Sequence, residues 1–252
     1  ATMLLGDLGA EVIRIEHPLR PDLIHYVPPF LGEESTSYLT LNRSKRGLGL
    51  DLSQAEGRSV FFDLVGTADL VVEQFRPGVL KRMGIDYGSA RERNPRVIYV
   101  SLTGFGQNGP NALRAGHDIN YISWGGLLSQ TRLGSRPVLP GFQMADVAGG
   151  GYMTVIACLA ALWYREKSGS GQSVDVSMLD GVLPLLTLQL ARFWGQGAEA
   201  AQVNELDGTV PCYGLYRCAD DKYVALGALE PKFWINFCKA VGRDDWVAGS
   251  LA

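Results

Sequence analysis

The sequence predicts an α/β fold in which a parallel sheet is flanked by helices. Three observations support this prediction. Strand-like and helical patterns alternate through the first half of the chain, an order typical of parallel sheets. Residues 96–102 form a continuous apolar run, which is typical of a strand buried on both faces. Residues 104–110 are rich in glycine and follow this strand, at the end where open α/β sheets bind ligands.

The first half of the chain begins with a helical pattern and a strand. Residues 2–9 have the apolar spacing of a helix that ends at Gly9, and residues 11–16 alternate with period two, as strands do. Ser53 is the predicted N-cap of the next helix, because Glu56 lies three residues later and completes a capping box. The elements that follow are, in order, that helix over 54–66, a strand over 69–73 and one or two short helices over 79–93.

The middle of the chain is predicted to be mainly helical. Residues 149–167 are apolar and contain several alanines, so we expect a closely packed, largely buried helix that ends within residues 168–171. A short strand over 174–176 and a second apolar helix over 179–194 follow.

A second, smaller domain is predicted beyond residue 200. Residues 196–210 are polar and form the predicted linker. Residues 1–200 would then form a large α/β domain, and residues 201–252 would begin a smaller α+β domain. The small domain is predicted to contain a β-hairpin over 213–226 and a final helix with Pro231 in its first turn.

The composition excludes several classes of protein. The 252 residues are 46% hydrophobic and 19% charged, which is too apolar for a disordered chain. A net charge of −3 provides no basic footprint for nucleic acid. The apolar runs are short and broken, so we expect no membrane-spanning helix and no membrane partner. Four cysteines without C-x-x-C spacing indicate reduced thiols and a cytoplasmic protein.

Both ends of the chain lie close to predicted elements. Ala1 opens inside a helical pattern without a cap, and Ala252 closely follows a predicted helix. No basic segment precedes an apolar stretch, so no signal peptide is predicted. We expect the chain to be a portion of a longer protein whose C-terminal part is missing here.

Two segments contain residues that can do acid/base chemistry. His117 lies in GHDINY at 116–121, before an apolar helix that Asp118 could cap; the alternative is a capping and packing cluster. Asp146 precedes a long apolar helix, where it is either an N-cap or a reactive carboxylate. Glycines 149–151 would let a ligand approach this helix, whose first N–H groups could hold a developing oxyanion.

Two basic segments are candidate phosphate contacts. The first is NRSKR at 42–46, and the second contains Arg76 in FRPG at 75–78, with Arg82 near the same strand end. Arginines in such places suit bidentate phosphate binding, and the alternative is a solvated basic face. No H-E-x-x-H, P-loop or G-x-S-x-G motif is present, so neither metal chemistry nor a Ser-His-Asp hydrolase is expected.

Taken together, these motifs resemble family III CoA-transferases, the CaiB/BaiF group, which includes acyl-CoA racemases. The resemblance covers nearly the whole chain and depends on many ordered matches. They are MLLGDLGAEVIRIE at 3–16, NRSKR at 42–46 with LDL at 50–52, FRPG at 75–78, SLTGFG at 101–106, AD at 145–146 and GQSVDVSM at 171–178.

The resemblance implies a Rossmann-like large domain, a smaller domain and an interlocked homodimer. It implies an acyl-CoA substrate, with coenzyme A bound as part of the substrate rather than as a permanent cofactor, and no metal. Asp146 matches the family's conserved aspartate. The residues that the resemblance places against coenzyme A are Arg43, Lys45, Arg46, Arg76, Arg82, Gly116, Asp118 and Tyr121.

Two chemistries occur within this family, and the sequence favours the racemase. In a racemase, His117 and Asp146 would be two opposed acid/bases at the α-carbon of a 2-methylacyl-CoA. The segment GALEP at 227–231 resembles the racemase segment whose glutamate, here Glu230, pairs with that histidine. In a CoA-transferase, Asp146 would instead be a nucleophile that passes through an aspartyl-CoA thioester. A non-catalytic CoA-binding or scaffold protein is a third interpretation.

Overall fold

The computed structural model describes residues 1–197 and 205–249. The chain divides into two compact units, Ala1–Leu185 and Leu186–Ala252. The domain boundary predicted near residue 200 lies outside the described residues, and it stays a prediction.

The first unit contains nine strands and eight α-helices. The strands are β1 (Val12–Glu16), β2 (Phe30–Leu31), β3 (Glu34–Ser35), β4 (Lys45–Gly49), β5 (Leu70–Glu73), β6 (Ile98–Thr103), β7 (Arg132–Leu133), β8 (Arg136–Pro137) and β9 (Ser173–Ser177). The helices are α1 (Thr2–Asp7), α2 (Thr36–Leu41), α3 (Ala55–Val65), α4 (Val79–Met83), α5 (Tyr87–Arg93), α6 (Asp118–Trp124), α7 (Met153–Ser168) and α8 (Met178–Val182). A π-helix over Ala145–Tyr152 leads directly into α7. The described part of the second unit contains α9 (Thr187–Gln196), β10 (Tyr213–Arg217), β11 (Tyr223–Gly227) and α10 (Pro231–Ala240).

Two parallel sheets organise the first unit. Strand β1 pairs with β4, and β6 lies between β5 and β9, with every one of these pairs parallel. Helices connect successive strands, as parallel pairing requires. The predicted α/β fold with parallel sheets is therefore confirmed.

The central strand β6 has a core on each face, as its continuous apolar run predicts. Ile98 and Val100 pack into a core shared with α1, α7 and β9. Tyr99 and the preceding Val97 pack into a second core, shared with α3, α4 and α5. The Tyr99 hydroxyl donates a hydrogen bond to the Ile85 carbonyl at 2.8 Å, which satisfies a buried polar atom.

Most predicted elements are confirmed, but the N-cap of α3 and the continuity of the helix over 179–194 are wrong. The N-cap of α3 is Gln54, and Ser53 instead donates its hydroxyl to Asp51 Oδ1 at 2.6 Å. The predicted helix over 179–194 is broken by a 3-10 turn over Leu183–Leu186. Pro184 lies in this turn, and proline lacks the N–H that a continuous helix needs.

Strand β4 is an element that the sequence does not reveal. Gly47 and Gly49 lie within it, and glycine is depleted in strands. Its pairing with β1 supplies the backbone hydrogen bonds that hold it in the sheet. Pairing with β1 therefore outweighs the low preference of this glycine-containing segment for a strand.

The long apolar helix begins earlier than predicted and is less buried. With its π-helical start it covers Ala145–Ser168, and Ile156 and Trp163 are 57% and 67% exposed. The expectation of a largely buried helix is therefore wrong for one of its faces. By length and hydropathy the helix could cross a membrane, although core helices of water-soluble proteins meet the same criterion. The absence of a membrane-spanning helix stays a prediction.

Candidate active site

The candidate site is built around the start of α6, where His117 is the N-cap residue. The His117 N–H donates a hydrogen bond to the Asn120 side-chain oxygen at 3.0 Å. The Asn120 N–H donates in return to the His117 carbonyl at 2.8 Å. This reciprocal pair closes the first turn of the helix and leaves His117 exposed at its end.

The Asp118 carboxylate caps a different helix from its own. Its Oδ1 accepts hydrogen bonds from the backbone N–H groups of Ala145 at 2.6 Å and Asp146 at 2.9 Å. These residues begin the π-helix that leads into α7, where unpaired N–H groups attract negative charge. The predictions that Asp118 caps the helix after His117 and that Asp146 is an N-cap are therefore wrong.

Burial and two charges set the pKa of Asp146. Partial burial raises it above the ordinary value for aspartate, the negative charge of Asp118 raises it further, and His117 lowers it in part. Asp146 in turn adds to the effect of burial in raising the pKa of the Tyr121 hydroxyl. The structure therefore brings together four residues that the sequence singles out, from two segments about 25 residues apart.

The glycines after Asp146 serve helix packing. A Cβ on Gly149 would lie 2.7 Å from the Met178 carbonyl oxygen, and a Cβ on Gly181 would lie 2.0 Å from the Gly149 carbonyl oxygen. Helix α8 therefore lies directly against the π-helix backbone, in the space that we expected a ligand to use. The N–H groups of Ala145 and Asp146, expected to hold an oxyanion, already donate to Asp118.

Tyr121 packs against two glycines of the adjacent loops. A Cβ on Gly104 would lie 2.3 Å from the Tyr121 hydroxyl oxygen, and a Cβ on Gly116 would lie 2.7 Å from its ring. The Phe105 ring meets the Tyr121 ring edge-on, with centroids 5.2 Å apart. Glycine at both positions therefore lets the loop after β6 close onto α6, beside Asp146.

A row of polar residues crosses the three-stranded sheet at the level where β5 ends. Register places Glu73 on β5 beside Ser101 on β6, and Ser101 beside Asp175 on β9. Glu73 accepts the Phe75 N–H at 2.7 Å, and Asp175 accepts the Gln107 N–H at 2.8 Å. Each carboxylate thus holds the loop that follows a strand. Burial raises the pKa of Glu73, and a hydrogen bond from Ser101 opposes this.

Neither of these two carboxylates is among the candidates selected from the sequence. Glu73 and Asp175 lie about 100 residues apart, and the strand register places them in one row across β6. For Glu73 the available signal is its position at the end of a predicted apolar strand, where parallel sheets place functional side chains, whereas Asp175 lies in the middle of its strand.

The predicted phosphate contacts fall into two groups. Arg43 pairs with Asp7, and Arg46 pairs with Glu11, at the amino end of β4. Lys45 donates to the Asn42 side chain at 2.9 Å, and burial lowers its pKa.

Arg76 and Arg82 differ from this group, because they follow the carboxyl end of β5 and are exposed. Within residues 1–197 and 205–249, neither of them forms an ion pair. Their guanidinium groups therefore have donors to offer to an anion.

Glu230 belongs to the second unit, where it is the N-cap residue of α10. Pro231 occupies the first turn of that helix, as predicted. The pairing of Glu230 with His117 stays a prediction. In the described ranges, no three His, Cys, Asp or Glu side chains are grouped as a metal ion would require.

Comparison with known proteins identifies one family for this chain. The family model described as CoA-transferase family III matches residues 1–250. α-Methylacyl-CoA racemase from Mus musculus is 36% identical over 96% of this chain, and its Homo sapiens counterpart is 37% identical over 97%. Succinyl-CoA:glutarate CoA-transferase from Homo sapiens is 34% identical over 99% of this chain. The chain covers 60%, 64% and 57% of these three relatives, respectively.

Solved structures support the same family assignment. A CaiB/BaiF family protein from Brucella suis has a TM-score of 0.85 and 32% identity, over 98% of this chain and 66% of that chain. A hypothetical protein from Mycobacterium tuberculosis has a TM-score of 0.82 and 32% identity, over 98% and 65%. The order of elements described above is therefore that of CaiB/BaiF proteins.

Proposed function

Because this chain belongs to CoA-transferase family III, we propose that the full-length protein binds an acyl-CoA thioester and racemises the α-carbon of a 2-methylacyl-CoA. One observation carries this proposal: a histidine at the start of α6 and a carboxylate at the start of the next long helix interact electrostatically. Racemisation needs two such acid/base groups at one carbon. The two racemases among the curated relatives support the same choice.

In this proposal His117 and Asp146 are opposed acid/bases. One group takes the α-proton, and the electron pair of the broken C–H bond moves into the thioester to form an enolate. The other group, protonated beforehand, returns a proton to the opposite face, and the enolate electrons form the new C–H bond. The raised pKa of Asp146 brings its carboxyl closer to histidine in proton affinity, so each group can serve as acid or as base.

The enolate oxygen also needs a hydrogen-bond donor. The N–H groups of Ala145 and Asp146 already donate to Asp118. The Val147 N–H donates to the Gln143 carbonyl at 3.1 Å. The oxyanion contact would therefore come from donors other than these three N–H groups.

We further propose that Arg76 and Arg82 hold phosphates of coenzyme A. Both are exposed and lie beside the carboxyl end of β5, where open α/β sheets bind ligands. Arg43 and Arg46 already have carboxylate partners, so an incoming phosphate would have to compete with Asp7 or Glu11 for them.

The second candidate function is a CoA-transferase, because a CoA-transferase matches nearly as well as the racemases do. Asp146 is exposed, so its carboxylate can be reached by a thioester. Its oxygen would attack the thioester carbonyl and expel the thiolate of coenzyme A, leaving an acyl-aspartyl anhydride. The thiolate would then attack the aspartyl carbonyl, release the acid and form an aspartyl-CoA thioester.

We also propose, from the family resemblance, a cytoplasmic interlocked homodimer that needs no metal and holds coenzyme A only as part of its substrate. Size-exclusion chromatography with light scattering on the full-length protein tests the dimer. A monomer at micromolar concentration would contradict it.

Deuterium exchange tests the racemase. The full-length protein is incubated with one enantiomer of 2-methylacyl-CoA in deuterated water, and deuterium at the α-carbon is measured by mass spectrometry. We expect incorporation with loss of optical purity in the wild type. His117→Ala should abolish exchange from the enantiomer whose proton His117 takes. The control is His17→Ala, which should keep the wild-type rate, because His17 directly follows β1 and faces Asp51 rather than Asp146.

Trapping of a covalent adduct separates the two functions. A CoA-transferase predicts that hydroxylamine or borohydride traps an adduct on Asp146 and that His117→Ala keeps most of the transfer between acids. If the wild type forms this adduct and incorporates no α-deuterium, the racemase proposal is refuted and the CoA-transferase is supported. If the wild type shows neither the adduct nor α-deuterium, both activities are refuted, and the remaining interpretation is a non-catalytic CoA-binding protein.

A further inference from the structure

We propose that Asp118 is a positioning residue that fixes the geometry between His117 and Asp146. This inference rests on the proposed function, because it assigns a role within the same acid/base pair. Asp118 directly follows His117 in the chain, and its carboxylate holds the backbone of Asp146. One residue thus links the two groups that must face a single carbon atom.

The two hydrogen bonds of Asp118 make this link rigid. A single oxygen, Oδ1, accepts the N–H groups of both Ala145 and Asp146, at 2.6 and 2.9 Å. A carboxylate binds such donors more strongly than a neutral oxygen, and it also faces the positive end of a long helix. The π-helix start therefore cannot shift relative to Asp118 without breaking both bonds.

The backbone of α6 that carries Asp118 is also fixed. Asp118 lies in the first turn of α6, which the reciprocal hydrogen bonds of His117 and Asn120 close. Farther along, Tyr121 is 6% exposed and packs against Gly104. The backbone that carries His117 and Asp118 is therefore anchored on both sides of the acidic residue.

The same carboxylate also affects the proton affinity of Asp146. The titratable groups that face Asp146 are His117 and Asp118, which act on its pKa in opposite directions, and Tyr121, whose pKa Asp146 raises. Removing the negative charge of Asp118 should lower the pKa of Asp146. CoA transfer needs ionised Asp146, and so does exchange from the enantiomer whose proton Asp146 takes, so the acidic limb of these pH–rate profiles should move to lower pH.

Two variants of Asp118 separate its hydrogen bonds from its charge. Asp118→Asn keeps an oxygen that can accept both N–H groups and loses the charge, whereas Asp118→Ala loses both. Asp63→Asn is the matched control, because Asp63 is an exposed residue of α3 paired only with Arg93 at 3.4 Å. All are made in the full-length protein, and α-proton exchange or CoA transfer is followed from pH 4 to pH 9.

We expect Asp118→Asn to keep kcat within about tenfold of the wild type, since neutral hydrogen bonds are only modestly weaker. Its acidic limb should lie at lower pH than that of the wild type and of Asp63→Asn. Asp118→Ala should lose roughly 10²-fold in kcat with little change in KM, because a misplaced catalytic group costs about that much.

The outcomes distinguish this inference from the function on which it rests. A wild type without exchange or transfer would refute the proposed function. An active wild type with an unshifted limb in Asp118→Asn would refute the role of Asp118, as would an Asp118→Ala protein with wild-type kcat. Should Asp118→Ala fail to fold by circular dichroism, the pH profile of Asp118→Asn decides alone.

Discussion

Replacement of Gly181 by alanine tests how the helix that carries Asp146 is held. Gly181 lies in α8, and a Cβ there would come within 2.0 Å of the Gly149 carbonyl oxygen and 2.6 Å of the Gly149 carbonyl carbon. These atoms are backbone, so no side chain can rotate out of the way. The ordinary separation is about 3.5 Å, and the two helices must therefore move apart by more than about 1 Å.

Two effects of this substitution oppose each other. Alanine favours a helix over glycine by about 1 kcal/mol. Overpacking in a closely packed core costs about 1–3 kcal/mol, and here the contact is backbone against backbone. Because neither backbone can rotate away, the upper end of this cost applies, and we expect a net loss of about 2 kcal/mol in the free energy of unfolding. Because Asp146 lies three residues before Gly149, its displacement should also lower kcat by roughly 10²-fold.

Urea unfolding and α-proton exchange on the full-length protein measure the two consequences. Gly88→Ala in α5 is the matched control, since its Cβ would meet only the Asp86 carboxylate, at 3.6 and 3.9 Å. This control should leave kcat unchanged and stability equal or slightly higher. A Gly181→Ala protein with wild-type stability and wild-type kcat would refute the account of how α8 supports the site.

Three further predictions follow from charge and burial. Because the pKa of Glu73 is raised, the folded state binds its proton more tightly than the unfolded state, so the free energy of unfolding should fall as pH rises between the two pKa values. Urea titrations should show a steeper fall in the wild type than in Glu73→Gln; parallel curves would contradict it. The exposed thiol of Cys218 should react with a disulfide reagent in the native protein, whereas Cys158, buried and with its pKa raised to about 11, should react only after unfolding. Rapid reaction of more than one thiol in the native protein would contradict the burial of the other cysteines. Arg76→Ala should weaken coenzyme A binding by about 10- to 100-fold in titration calorimetry, the loss expected for one charge-assisted contact, and Arg93→Ala should not. Equal affinities for the two variants would overturn the assignment of Arg76.

Elements with strong local signals could be predicted from the sequence. The apolar run of β6, the glycine that ends α7 and the proline in the first turn of α10 each constrain the backbone where they occur. Weak or conflicting signals led to errors. Strand β4 contains two glycines, and Ser53 competes with Gln54 for the start of α3.

In the candidate site, too, some residues could be selected from the sequence and others could not. His117 and Asp146 could be selected from their sequence context, because their segments resemble a known family and contain few alternatives. The role of Asp118 could not, since its partners lie 27 and 28 residues away. The sequence suggested instead that it caps the nearest helix.

Local patterns along the chain established the α/β class, most of the elements and the two acid/base candidates, because backbone preferences and motifs depend on neighbouring residues. Three-dimensional packing was needed to learn that Asp118 joins those candidates, that the glycines after Asp146 pack against α8, and that Glu73 and Asp175 lie in one row across the sheet. The physical reason is that strand register, helix contact and long-range hydrogen bonds bring together residues whose separation along the chain carries no local signal.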